Sequence, residues 1–187
     1  MKTQFDIEKV LKAGKLENEL DYERALIADR KLRVLCKENS RLNPVRKHLR
    51  DLIANYEEIN WSSSSITDVK SRVGDLAELI AEKERQFIHR RKELIKNKLK
   101  KNDLNQQDLM TLLGHKSKTY MSELMNGISP FTLNDLIVIN RLLKIDLTDL
   151  IPTTISFRRR NQIQKSLKSI GNEKIKLSSQ DFDLVLE

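Results

Sequence analysis

Residues 104–127 read Leu104-Asn-Gln-Gln-Asp-Leu-Met-Thr-Leu-Leu-Gly-His-Lys-Ser-Lys-Thr-Tyr-Met-Ser-Glu-Leu-Met-Asn-Gly127. This stretch constrains the fold most, because its start and stop signals leave room only for two short helices and a turn. Asn105 caps the first helix, and Asp108 at the third helical position reaches back to the cap. Gly114 ends that helix, where a left-handed residue is usually needed. Ser117 or Thr119 caps the second helix, on which Met121, Leu124 and Met125 fall on one face at i, i+3 and i+4. Thr119, Ser122, Glu123 and Asn126 point the other way, with Lys118 and Tyr120 at the edges. Helices this short are not stable alone, so the apolar face must rest on a core supplied by neighbours.

Those neighbours are legible on both sides. Glu93 to Lys100 supplies a preceding helix. Thr132 with Asp135 repeats the capping pattern, and Leu133, Leu136, Ile137 and Leu143, with Ile139 nearby, predict a largely buried helix. Asp146 to Ile151 adds a short turn before Pro152 stops it. Residues 93–151 therefore form a five-helix unit.

The first third, residues 1–61, reads as a separate helical region. Asn43-Pro44 looks like a helix start, with Asn as cap and Pro at the first helical position. Val45, His48, Leu49, Leu52, Tyr56 and Ile59 then recur at helical spacing to near Trp61. Upstream, Asp21 to Lys37 carries a rough stripe of Tyr22, Leu26, Leu32, Leu35 and Cys36 that Asp29 interrupts. Ser62 to Ser65 is a linker, since serines compete for backbone hydrogen bonds and bury little. Asp75 to Lys100 reads as a long charged helix with a thin seam of Leu76, Ile80, Phe87 and Leu94. That helix either lies across another chain or serves as a solvated connector, and residues 62–92 are assigned to linker and charged helix together. Residues 152–187 form a basic extension of unknown role. It is helical from Phe157 to about Ile170 and broken at Gly171-Asn172, and Lys174 to Glu187 is either a strand or a tail.

With only 5 Gly and 3 Pro in 187 residues, many tight turns and strands are disfavoured, and the fold class is all-α. The net charge of +8 attracts polyanions. It is uneven, with 10 basic against 6 acidic residues in 62–100, 5 against 6 in 101–151, and 7 against 4 in 152–187. The two-helix stretch is thus nearly neutral, and electrostatic anchoring must come from its flanks. A helix held by its apolar side with a polar side outward suits the major groove of DNA. One cysteine, Cys36, excludes an intrachain disulfide, and His48, His89 and His115 are too far apart for metal-ligand spacing. No metal site and no cofactor are expected. The absence of a nucleophile–base constellation and of a glycine-rich phosphate loop points to a binding protein rather than an enzyme, with no catalytic residues. The start, Met1-Lys-Thr-Gln-Phe-Asp, has no long apolar run, so a soluble cytoplasmic protein without membrane contact is expected.

The pattern in 93–151 resembles the Cro/phage-repressor type of helix-turn-helix, the XRE family. The shared features are a Leu-polar-Gln entry, Gly at the turn, a Ser/Thr-rich second helix, Asn-Gly after it, and the closing run Ile139-Asn-Arg-Leu-Leu-Lys-Ile-Asp-Leu-Thr-Asp-Leu-Ile151. The resemblance implies a five-helix lambda-repressor-like domain following the N-terminal helices. Gln106 and Gln107 would touch phosphates or base edges. Lys118, Thr119 and Glu123 would read bases, Lys118 donating to guanine and Glu123 accepting from cytosine N4. Lys116, Ser117, Tyr120, Ser122 and Asn126 would contact phosphates or cap helices. The span from Gly114 to Gly127 is a residue or two longer than is usual in that family.

Glu17-x-x-Leu-Asp-Tyr-Glu-Arg-Ala25 and Leu49-Arg-Asp-Leu-Ile-Ala-Asn-Tyr-Glu-Glu58, in that order before a helix-turn-helix, resemble the amino-terminal part of HigA antitoxins. The resemblance implies the antitoxin of a type II toxin–antitoxin pair. Such a protein is a homodimer that binds a RelE-like ribonuclease toxin and represses its own operon at double-stranded operator DNA. The alternative is a stand-alone or phage-type XRE regulator without a toxin.

Overall fold

The computed structural model describes residues 5–61, 68–152, 155 and 157–171. Every regular element among them is helical: α1 (Ile7–Ala13), α2 (Glu19–Glu38), α3 (Asn43–Trp61), α4 (Asp68–Lys101), α5 (Gln106–Leu112), α6 (Lys118–Asn126), α7 (Leu133–Leu143), α8 (Leu147–Leu150) and α9 (Phe157–Ile170). None of the described helices is long and apolar enough to cross a membrane. The linker at Ser62–Ser65 and the segment from Lys174 onward lie outside the described residues. Contacts gather Met1–Ile151 into one unit and Pro152–Glu187 into another.

Two motifs that are separate in sequence meet in the first unit. The rings of Tyr22 on α2 and Tyr56 on α3 stack with centroids 5.2 Å apart. Each hydroxyl donates to a carboxylate on the opposite helix, Tyr22 to Glu57 at 2.7 Å and Tyr56 to Glu19 at 3.0 Å. Burial, followed by those carboxylate bonds, raises both phenols, Tyr56 to about 12. The Tyr-x-x-Ala and Leu-Ile-x-x-Tyr-Glu patterns are thus two halves of one helix–helix contact. Leu32, Leu49 and Ala25 fill the core beneath it. Helix α3 starts one residue earlier than its Asn-Pro signal implies. Asn39 caps a 3-10 turn, Ser40–Leu42, by accepting from Arg41 N, and the turn runs directly into α3 with Asn43 already helical. The stripe expected on α3 is also trimmed, since His48 and Ile59 are exposed while Leu49, Leu52 and Ile53 are buried.

Helix α4 is a single rod of 34 residues, roughly 50 Å long at 1.5 Å per residue. It joins the two cores, but as a connector it is not solvated all round, because it lies along α2 of its own chain. Arg24 grips Glu84 through both carboxylate oxygens, Nε donating to Oε2 at 2.7 Å and Nη2 to Oε1. The Cβ position of Gly74 meets Glu19, and Lys31 lies in the field of Arg85 and Lys92. These pairings advance together along both helices, so α2 and α4 run parallel. Ala77 and Ala81 are buried while Leu76 and Leu79 are exposed. The buried face is therefore turned from the Leu76–Ile80 seam toward the residues in phase with Glu84. The same helix continues into the second core with Ile95 and Leu99.

The second core is closed by α5 to α8 around Leu109, Met121, Leu124, Ile139 and Leu150. Arg91, within the polar run His89–Lys92, is buried against it. Its guanidinium stands over Phe87 and Phe131 at 5.7 and 5.2 Å and donates to the Leu150 carbonyl at 3.2 Å. Burial lowers it to about 10. On α7 the buried set is Leu136, Ile139 and Leu143, and Leu133 and Ile137 face solvent at 65% and 43% exposure. The helical stripe was visible in the sequence, but the core meets a different arc of it. Helix α9 ends at Gly171, whose φ is +68°.

Leu32 is fully buried at the centre of the first core. Leu32→Ala is expected to lower the unfolding free energy by about 2–5 kcal/mol, measured by urea denaturation. A loss below about 1 kcal/mol would mean that this core does not hold the unit together.

Candidate nucleic-acid interface

The α5–turn–α6 pair is built from the local signals that define it. Asn105 Oδ1 accepts from Gln107 N at 2.7 Å and Asp108 N at 3.1 Å, and Asn105 N donates to Asp108 Oδ2 at 2.8 Å, closing a full capping box. Gly114, at φ +75°, donates to Thr111 O, and His115 N donates to Met110 O. This pair of bonds is a Schellman turn. Ser117, not Thr119, caps α6 by accepting from Tyr120 N at 3.2 Å. At the far end Gly127 N donates to Leu124 O and Ile128 N to Glu123 O, a second Schellman turn.

The turn is also held from the side. The His115 ring meets Tyr120 edge-on with centroids 5.2 Å apart. Its Nε2 lies 3.2 Å from Asp135 Oδ1, off the direction that would make an aligned hydrogen bond. Asp135 caps α7 through Thr132, so the α5–α6 turn and the start of α7 share one buried carboxylate. Leu109 and Met110 point into the core, and Leu112 is 48% exposed. It falls outside the arc shared by Leu109, Met110 and the half-buried Leu113.

The ten residues singled out in the sequence divide into two groups. Gln107, Lys116, Ser117 and Lys118 are exposed, and Gln106 is half-buried; these mark the start of α5 and the turn into α6. Thr119, Tyr120, Ser122, Glu123 and Asn126 are all half-buried, although Met121, Leu124 and Met125 take the buried face as expected. Their outward side meets the amino-terminal helices. Asn39, at the end of α2, donates to Thr119 Oγ1 at 3.2 Å. Lys31 donates to the Asn126 carbonyl at 3.0 Å, and Lys92 of α4 donates to Asn126 Oδ1 at 2.7 Å. Asn126 Nδ2 in turn donates to Ser122 O at 2.8 Å. Ser129 Oγ donates to Glu123 Oε2 at 3.2 Å. Burial raises the Glu123 carboxyl despite that bond, with Glu8 of α1 adding to the rise.

No family model, curated protein or solved structure matches the chain. Among the described residues no cluster of His, Cys, Asp and Glu could hold a metal ion.

Sequence reasoning missed Lys31, Asn39, Lys92 and Ile128. Ile128 had a signal, because an apolar residue after Asn-Gly is the hydrophobic partner of a Schellman turn. Here it is 4% exposed and belongs to the first core, two residues beyond α6. The others had none, since Lys31 and Asn126 are 95 positions apart.

Burial, with Arg85, Lys92 and Arg91 adding to it, lowers the Lys31 ammonium to about 8 from its ordinary 10.5. Between those values the unfolded chain holds more protons than the folded one, so this group makes stability rise with pH. The window from pH 8 to 10 lies below the range in which Tyr22 and Tyr56 titrate. Lys31→Met is expected to flatten the rise across that window, read by urea denaturation at each pH. Parallel profiles for the two proteins would show that Lys31 is not desolvated.

Proposed function

We propose that this chain is a sequence-specific DNA-binding transcriptional repressor of the helix-turn-helix type. It reads operator DNA as a homodimer in the cytoplasm and does no catalysis. The observation that carries this reading is the α5–turn–α6 pair. Two capped short helices stand on one apolar core, and Lys116, Ser117 and Lys118 project at the amino terminus of the second helix. That end offers free backbone N–H groups and the positive end of the helix dipole, which favour phosphate. Exposed side chains at the same end reach base edges first. Lys118 is the base-reading residue best exposed for guanine, while Thr119 and Glu123 follow along the helix. Gln106 and Gln107 meet the backbone from the start of α5.

The grip comes from flanks, because residues 101–151 hold 5 basic against 6 acidic residues. Lys98, Lys100 and Lys101 end α4. Helix α9 carries Arg158, Arg159, Arg160, Lys165 and Lys168 and no acidic residue.

The same chain acts as the antitoxin of a type II pair in this reading, its amino-terminal helices binding a RelE-like toxin. The order of the Tyr-x-x-Ala and Leu-Ile-x-x-Tyr-Glu motifs supports that role. One observation favours a stand-alone regulator instead: Tyr22, Tyr56, Glu19 and Glu57 are engaged with one another, so the motifs behind the antitoxin resemblance serve packing. Co-expression with the product of the adjacent gene separates the two. A small basic partner that co-purifies is expected of the antitoxin, and its absence leaves the regulator.

Lys118→Ala is expected to weaken binding to a selected operator by about 1–3 kcal/mol and to relax specificity at one base pair. Unchanged affinity and unchanged preference would reject α6 as the reading helix. Binding is also expected to fall steeply with salt, and removal of residues 152–187 should lower the slope of log K against log salt. An identical slope would place the phosphate contacts elsewhere.

A further inference from the structure

The side of α6 that would face bases is not open. Thr119, Ser122, Glu123 and Asn126 share one side of the helix and all four are half-buried, with Asn39 at the end of α2 donating to Thr119 and Lys92 of α4 to Asn126. The Asn126 carbonyl at the helix end accepts from Lys31. Ile128, just past the left-handed Gly127, is buried in the amino-terminal core. A major groove about 12 Å wide accepts one helix of about 10–12 Å diameter. It leaves no space for Asn39 and the end of α2 on the face that meets the bases. Charge works in the same direction, since Asp6 and Glu8 of α1 act on Tyr120, and Glu8 acts on Glu123. Carboxylates beside a reading face repel phosphate.

We propose that the carboxyl-terminal half of α2 forms an autoinhibitory latch on α6: Asn39 on Thr119 and Lys31 on Asn126 hold the reading face shut, and the latch must open before that face enters the groove. This rests on the DNA-reading role proposed above. The closed form leaves the turn into α6, Lys116 to Lys118, and the start of α5 accessible. It therefore touches DNA weakly and with little sequence preference. Opening frees Thr119 and the Asn126 carbonyl from α2 and uncovers the side of α6 they lie on. Gly127 is the natural pivot, because it already occupies a left-handed backbone conformation at the junction between α6 and the buried Ile128. Any partner that binds α2 in the open arrangement would thereby change DNA affinity.

The test locks the latch. Asn39→Cys and Thr119→Cys are combined with Cys36→Ser in the full chain, and the two thiols are joined by a short bis-methanethiosulfonate bridge that a reductant releases. Affinity and selectivity are measured on a library of short duplexes of randomised sequence. The bridged protein is expected to bind at least tenfold more weakly than the same protein after reduction, and to select no sequence. Lys31→Met and Asn39→Ala, which loosen the latch without a bridge, are expected to bind several-fold more tightly than wild type. Their helical circular dichroism controls for folding. Equal binding by bridged and reduced protein overturns the latch while leaving the DNA reading intact. No binding to the library in either state, with Lys118→Ala indistinguishable from wild type, overturns the DNA reading on which the latch rests.

Discussion

The carboxyl-terminal end of α6 is where the first unit is tied together. Within three residues, Asn126 accepts one lysine on its carbonyl and another on its side chain, Gly127 reverses the backbone, and Ile128 enters the amino-terminal core. The two lysines come from α2 and α4, the helices that already lie side by side through Arg24 and Glu84. A hydrogen bond from a charged donor is worth about 1.5–3 kcal/mol net. Its larger effect is geometric. It fixes the phase of α6 against α2, and so decides which α6 residues meet solvent.

Much of the second core was legible because its signals are local. Asn105 with Asp108, Thr132 with Asp135, and Gly114 and Gly127 are capping chemistry completed within a few residues, and the structure repeats each of them. Helix faces were less legible. Leu112, Leu133 and Ile137 lie on apolar stripes yet face outward, because periodicity locates a stripe without saying which arc the neighbour will cover. Ala77 and Ala81 were passed over for Leu76, since hydropathy ranks leucine higher, whereas α2 packs on the arc that carries Glu84.

The site itself was legible only as an isolated helix. The polar face of α6 was read correctly as outward from its own core, with Thr119, Ser122, Glu123 and Asn126 opposite Met121, Leu124 and Met125. That a second set of helices covers that face depends on Asn39 and Lys31, 80 and 95 positions from their partners. No spacing rule reaches that far. The buried Arg91 was hidden for a related reason. A basic run normally marks a solvated face, and only the aromatic rings of Phe87 and Phe131 make a place for one of its members inside.

Because α4 serves both cores without a break, its length is under tighter constraint than its composition. Each residue added to an α-helix turns everything beyond it by about 100° and advances it by about 1.5 Å. One residue inserted between Glu84 and Arg91 would leave Glu84 on Arg24 but swing Ile95 and Leu99 away from their core. Seven inserted residues would nearly restore the phase, yet push the cores apart by about 10 Å and part Lys92 from Asn126. The helix acts as a ruler as much as a support, and substitutions along its exposed side are free in a way that insertions and deletions are not.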